Sequence, residues 1–436
     1  MKIAVIGAGP AGASAAYALG LNDHDVVLLE GDNIIGGRTQ CVRKNGFTLD
    51  TGAGFVTNFY PRLLSIAHDL EFISEIHEMN RISGLVRKGK LATINVGSPL
   101  SFLSFPFLTL FEKLKMAYWM TGLSLKRKRF DLANPDTLRA TDSRSIAEAA
   151  RSELNENIYQ TLIRPGIEPF WYFSCEDVSE GLLLALSAHA AGAEFYSFPE
   201  GIDTICKHLV ENTTVYCDAI VDTISERAGG YRVHYSHERI DKSIDVDQVI
   251  VATTASTANA ITKDLSEHSV SSSQRAFLQS QQYASNVHAC FEISSLPKPP
   301  RAGAVFPCDT GIHKLAAISF HRAKTKKYNR KTELVSIYLS NSAAREMMSF
   351  PDEELYRECW ALAREAHDGL PKEYAPFHLV RRKEAIPIHA VGRYELAAQF
   401  NEEQCSKTIR FCGDYLATAT IEGAIASGWR ASVISQ

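Results

Sequence analysis

Short apolar runs recur along the chain between stretches of mixed polarity. The first, Lys2–Ile6 (KIAVI), shows no polar alternation and reads as a strand buried on both faces. Residues 13–19 follow with helical composition, and residues 26–29 read as a second buried strand closing on Glu30. Residues 219–224, 286–293, 314–320 and 334–339 read as further strands. Between them, Ser145 stands at an N-cap position ahead of a good helix former run, and 181–193 is mostly Leu and Ala. The pattern predicts an α/β chain, with no internal repeat and no low-complexity tail.

What joins the first strand to the first helix is Gly7-Ala8-Gly9-Pro10-Ala11-Gly12. A strand, this turn, a helix and a second strand make a βαβ dinucleotide-binding pattern. Gly7 lets the chain turn sharply, Gly9 lets the backbone approach a pyrophosphate, and Gly12, with Ala13 and Ala16, lets helix and sheet pack closely. Pro10 and Ala11 belong to the turn, and the helix after it offers N–H groups and a partial positive charge at its N-terminus to phosphates. Glu30 is placed to accept from ribose hydroxyls. Then come Gly36, Gly37 and Arg38; paired glycines fold the backbone back over a cofactor, and the Arg fork suits phosphate or flavin-side oxygens. Residues 47–55 read as a strand running into a small-residue turn, Gly52-Ala53-Gly54-Phe55, against which a flat ring can lie.

At 436 residues the chain is too long for one compact core, so two domains are expected. A net charge of −4 gives no reason to expect nucleic acid. Nine cysteines without CxxC or Cys/His spacing read as reduced thiols of a cytoplasmic enzyme, with no metal site. A strand beginning at Lys2 leaves no room for a signal peptide. Residues 91–111 carry no charge, but their Gly, Pro, Ser and Thr argue against a spanning helix. The plain reading there is a loop and helix of a second domain. The sharper one is peripheral membrane contact through 99–129, where Phe102, Phe105, Phe107, Leu108 and Phe111 precede Lys126-Arg127-Lys128-Arg129.

The order of these motifs resembles the FAD-dependent amine oxidase superfamily, which includes protoporphyrinogen oxidases and carotenoid desaturases. Gly413-Asp414 after an apolar strand resembles its closing strand, and Ile421-Glu422-Gly423-Ala424 its final helix. Phe198-Pro199-Glu200-Gly201-Ile202 and 249–253, with Ala252, resemble two middle signatures. The resemblance implies a discontinuous Rossmann-like FAD-binding domain (1–80, 195–285 and 400–436). The inserted α+β substrate domain (81–194 and 286–399) would be a mixed sheet with helices on one side. It also implies non-covalent FAD, since neither Cys405 nor Cys412 matches the family's tethering cysteine. Asp414 is expected on the ribityl or pyrophosphate region, Val221 at the adenine by its backbone, and the helix start at Ile421, Glu422 and Ala424 near the flavin N1–C2=O edge.

Departures from the family narrow the activity. His288 stands nearest to the place where many amine oxidases carry a lysine, and a His there can hold a water or shuttle a proton. Thr420 replaces an aromatic of their amine cage. Around 384–394 the chain instead resembles protoporphyrinogen oxidase-like proteins, and the glycine-rich Pro-Gly ending of carotenoid desaturases is not visible. Substrate-site candidates are therefore Trp171, Tyr172, His389, Arg393 and Thr420. The expected function is hydride transfer to flavin N5 from a hydrophobic or cyclic small molecule, with O2 as the acceptor. The alternatives are an amine or amino-acid oxidase releasing H2O2, and a non-redox flavin isomerase or ligand carrier. The oligomeric state is not legible.

Overall fold

The computed structural model describes residues 1–294, 296, 301–308, 314–324 and 332–433. The last positions of the expected FAD-binding pieces, 434–436, and parts of the expected insert lie outside the described residues.

Five parallel strands form the first sheet, in the order Thr214–Tyr216, Asp25–Leu29, Lys2–Ile6, Gln248–Val251 and Ile409–Phe411. Side chains alternate across it. Ile3, Val5 and Leu28 join the cluster on the helical side, whereas Ala4, Ile6, Val27 and Leu29 join the opposite one. That is why the strands read as unbroken apolar runs: both faces are covered. On the helical side, Pro10–Gly20 lies against the last helix, Ile421–Ser432. A Cβ at Gly428 would come within 2.0 Å of the Ala11 carbonyl oxygen, and Ser14 Oγ donates to the Ile425 carbonyl at 2.8 Å. The first helix begins at Pro10, earlier than its composition predicts, because proline is pre-shaped for the first helical position. On the other face sits an antiparallel meander of Ala219–Arg227, Gly230–His237 and Ile240–Val246.

A second, seven-stranded mixed sheet runs Ala375–Pro387, Tyr283–Ser294, Thr332–Leu339, Leu315–Phe320, Ala304–Pro307, Ile82–Arg87 and Lys90–Asn95. Its pairs are antiparallel except Ala304–Pro307 with Ile82–Arg87. The helix Asp352–Ala366 covers one face through Leu355, Cys359, Trp360 and Ala363. Lys90–Asn95 corrects the expectation of a loop: Lys88 and Gly89, both at positive φ, reverse the chain tightly and return it as a hairpin strand. The predicted helix at Ser145 is present as Ile146–Glu153, closed by a capping box in which Ser145 and Glu148 each bond the other's backbone N–H.

Candidate active site

The strand order reverses direction at Lys2–Ile6 and Gln248–Val251, so their C-terminal ends open a crevice of the kind where open α/β sheets bind ligands. Gly7 sits there at φ +102°, and a Cβ on it would lie 2.8 Å from the Ala252 carbonyl oxygen. At Gly12 a Cβ would lie 1.8 Å from the Gly7 carbonyl oxygen, so both glycines hold strand, turn and helix in contact. Gly9 differs. A Cβ there would meet nothing nearer than 3.9 Å, and what it would meet is the backbone of Gly36 and Gly37 across a cleft. The helix starting at Pro10 has no side-chain cap, which leaves the N–H groups of Ala11 and Gly12 facing that cleft's end without an acceptor among the described residues.

Glu30 closes the second strand and is buried. Its carboxylate accepts from Ala8 N–H at 2.6 Å and Asp32 N–H at 3.0 Å. Burial raises its pKa, against the pull of those two bonds. The strand carrying Val221 leaves from the same point, since Ala219 N–H donates to the Glu30 carbonyl at 2.8 Å. Val221 itself lies at a break in register with the neighbouring strand.

Arg38 and Asp414 stand 376 positions apart and form a two-pronged ion pair at 2.7 and 2.8 Å. Arg38 also donates to the Ala385 carbonyl at 3.1 Å. Burial opposes the guanidinium charge, but the carboxylate outweighs it and raises the Arg38 pKa. The loops that carry the pair are fastened. A Cβ at Gly52 would lie 2.0 Å from the Arg38 carbonyl oxygen, and Ala53 N–H donates to that same oxygen at 3.0 Å. Gly413 N–H donates to Ser427 Oγ at 3.1 Å, which ties the Asp414 loop to the last helix.

At the start of that helix two of the expected site residues also hold the fold together. Thr420 is its N-cap: Oγ1 accepts from Gly423 N–H at 2.9 Å. Glu422 turns to a neighbour, its two oxygens accepting from Arg62 and Leu63 N–H at 2.8 and 3.0 Å, which caps the helix Pro61–Asp69. Its carboxylate is thereby spent on a helix end, and burial pushes it up to about 7. Ile421 and Ala424 remain at the helix start, where Ala424 N–H closes the first turn on the Thr420 carbonyl.

Facing this frame is an aromatic wall. His288 stacks on Tyr338 at 4.4 Å, and Tyr338 stacks on Tyr172 at 6.4 Å. Tyr172 is held at φ +64°, a conformation rare for a bulky residue, at the C-terminal end of the helix Arg164–Trp171. His288 Nε2 lies 2.8 Å from Ser336 Oγ, which also lies 2.9 Å from His321 Nε2. Burial, then His321, Arg382 and His378, push the His288 pKa well below its usual value, so the ring is neutral. Phe55 packs edge-on against Phe170 and Phe195. Trp171 donates to the Ala419 carbonyl at 2.8 Å and steadies the approach to Thr420.

Two residues escaped the sequence reading. Arg382 reaches from the outer strand of the second sheet to the Thr51 carbonyl and hydroxyl, beside a cleft of about 290 Å³ that Gln40, Thr51 and His378 also line. Burial and the nearby Arg38 lower its pKa. Tyr338 is the centre of the aromatic stack. Neither sits in a local motif; each is recruited by strand register, Tyr338 opposite His288 and Arg382 opposite Asn286.

Two other candidates are engaged within the protein itself. Arg393 donates to Gln281 Oε1 at 2.6 Å and Ser280 Oγ at 3.0 Å, over the Phe277 ring. Its guanidinium is consumed in joining two helices. His389 is buried flat against Tyr394, and burial brings its pKa down to about 4. No His/Cys/Asp/Glu cluster suited to a metal is found among the described residues.

Residues 10–434 match the model of a family described as flavin containing amine oxidoreductase. Similar solved structures include a provisionally assigned protoporphyrinogen oxidase from Exiguobacterium sp. 255-15, with TM-score 0.75 and 17% identity over 98% of this chain and 96% of that one. Cyclohexylamine oxidase from Brevibacterium oxydans IH-35A gives a TM-score of 0.73 at 15% identity, covering 99% and 97%. Among curated proteins, 4,4'-diapophytoene desaturase of Staphylococcus aureus is 46% identical over 56 residues, a match covering 13% of this chain and 11% of the desaturase.

Proposed function

The chain belongs to the family of flavin-containing amine oxidoreductases and is a flavin-dependent oxidoreductase, and on that premise we propose that it binds FAD without a covalent link and dehydrogenates a hydrophobic or cyclic small molecule. Bound FAD would supply the two-electron acceptor for hydride. The residues fit such a group. The clear space at Gly9 and the uncapped first turn of Pro10–Gly20 give a pyrophosphate both room and N–H donors. Glu30 and the strand of Val221 meet at one place, as an adenosine end requires. Arg38 and Asp414 close the far side of the cleft.

The observation that carries the substrate class is the Tyr172–Tyr338–His288 stack. Its rings stack on one another and all are neutral, since burial raises the pKa of both phenols and lowers that of the imidazole, so the wall does not attract a cation by charge. A flat or long apolar substrate gains by stacking there, whereas a simple ammonium finds no carboxylate partner on those three side chains. Ser336 Oγ fixes the His288 ring through Nε2, and the other ring nitrogen, Nδ1, is the one left to accept or donate a proton. Arg382, positioned by Thr51, supplies a cation beside the stack.

Anaerobic mixing of the FAD-loaded protein with porphyrinogens, polyene precursors and cyclic or linear amines tests this reading. Loss of the oxidised flavin band with an apolar substrate, and its return with H2O2 on admitting O2, is expected. Bleaching by amines alone would transfer the assignment to an amine oxidase. A substrate rearranged with no net bleaching would replace oxidation by isomerisation.

A further inference from the structure

The helix Leu110–Ser124 is apolar on two opposite sides. On one, Met116 is buried, and Trp119, Met120 and Leu123 pack against the core. On the other, Leu110, Phe111, Leu114, Tyr118 and, just past the helix end, Leu125 stand in water, with Phe111 73%, Tyr118 85% and Leu125 84% exposed. At about 100° per residue these five fall within roughly 100° of arc, a single stripe. The short helix Pro99–Ser104 extends the patch with Leu100 and Leu103, tied alongside by Lys113 Nζ donating to the Leu103 carbonyl at 2.7 Å. A contiguous apolar face of this sort marks an interaction surface.

The charges around it have one sign. Between 99 and 129 the cations are Lys113, Lys115, Lys126, Arg127, Lys128 and Arg129, and the lone acid is Glu112. Glu112 is buried, its oxygens taken by Thr109, Asn155 and Asn157. Lys113 and Lys115 flank the exposed stripe on its two borders, half-buried, with their ammonium groups donating to the Leu103 and Leu154 carbonyls. Lys126 to Arg129 are exposed at the end of the stripe, and no ion pair engages them among the described residues. Among the described residues no helix is long and apolar enough to cross a membrane.

We propose that this face docks on the surface of an anionic lipid bilayer. The helix lies flat, Phe111, Leu114 and Tyr118 enter the headgroup–acyl boundary, and the 126–129 cluster sits at the level of the phosphates. A second copy of the chain is the poorer occupant, because two-fold pairing of this face brings like charges together. The surface lies outside the flavin crevice, so it stands or falls independently of the proposed chemistry.

The test is flotation of the FAD-loaded full chain with large vesicles of phosphatidylglycerol and phosphatidylcholine, against vesicles of phosphatidylcholine alone. The parent should float with the anionic vesicles and be released only in part by high salt. Lys126→Gln, Arg127→Gln, Lys128→Gln and Arg129→Gln combined should weaken partitioning by about 100-fold or more. Phe111→Ser with Leu114→Ser should abolish the salt-resistant remainder. All six positions are surface ones, so unchanged flavin content and Tm separate lost docking from lost folding. A parent that stays unbound at every composition overturns the proposal. So does a parent that sediments as a dimer and becomes monomeric with Phe111→Ser and Leu114→Ser, which assigns the face to a second copy.

Discussion

Glu422 belongs to a Glu-Gly-Ala step that reads in sequence as a helix start aimed at a cofactor, yet its carboxylate holds Arg62 and Leu63 N–H groups of another helix. Burial raises its pKa from 4.5 to about 7. The folded state therefore binds a proton that the unfolded state releases between those values, and the stability contributed by that proton is present at low pH and lost as pH rises. Relative to Glu422→Gln, the parent should lose up to about 3 kcal/mol of unfolding free energy between about pH 4.5 and pH 7. Denaturant titrations of both proteins across that range measure it; a constant difference would show that Glu422 ionises at its ordinary value. Residues of the glycine turn were legible because a missing side chain has local consequences. The contacts of Arg393, His389 and Thr420 were not legible, because a polar side chain's partner is chosen by what packs against it, here Gln281, Tyr394 and Gly423 N–H.

At the scale of elements, the first and last helices act as one support for the crevice. They touch where Gly428 meets Ala11, and Gly423 allows the same closeness to the Thr418 carbonyl at the other end. Gly428→Ala would force a Cβ to within 2.0 Å of the Ala11 carbonyl oxygen, so the helices must part. The expected outcome is a loss of about 1–3 kcal/mol in stability and a lower flavin content per folded chain. Gly122→Ala is the control: nothing lies within 4 Å of a Cβ there, and alanine in that helix should be neutral or stabilising by up to about 1 kcal/mol. Equal losses from both substitutions would refute the packing argument. Element identity was largely readable, since caps and apolar runs are local. Lys90–Asn95 was missed because half of it is exposed and its strand state comes from pairing with Ile82–Arg87.

For the whole molecule, the reduced-thiol reading has a direct consequence. Of nine cysteines only Cys405 is exposed and Cys217 is half-buried; the rest are buried, with burial pushing Cys206, Cys290 and Cys359 up to about 12. A thiol-disulfide reagent should consume Cys405 rapidly, Cys217 slowly, and all nine after unfolding. Cys405→Ser should erase the rapid phase; a rapid phase that persists would place another thiol at the surface. At this scale too, the parallel sheet draws its strands from both ends and the middle of the chain, which a linear reading reached only through resemblance to a family.

Taken alone, the sequence determined the βαβ turn, the Ser145 cap and the buried strands, because each depends on contiguous residues and on backbone sterics that operate over a few positions; the family was carried by the order of motifs along the chain. Only the tertiary structure decided which polar groups are spent on one another. Arg38 found Asp414, Tyr172 found His288 through Tyr338, and Glu422 found a helix end, since strand register and helix contact, not sequence distance, bring such partners within hydrogen-bonding or stacking range. It also decided which side of Leu110–Ser124 is left in water, because a helix with two apolar faces does not announce which one the core will take.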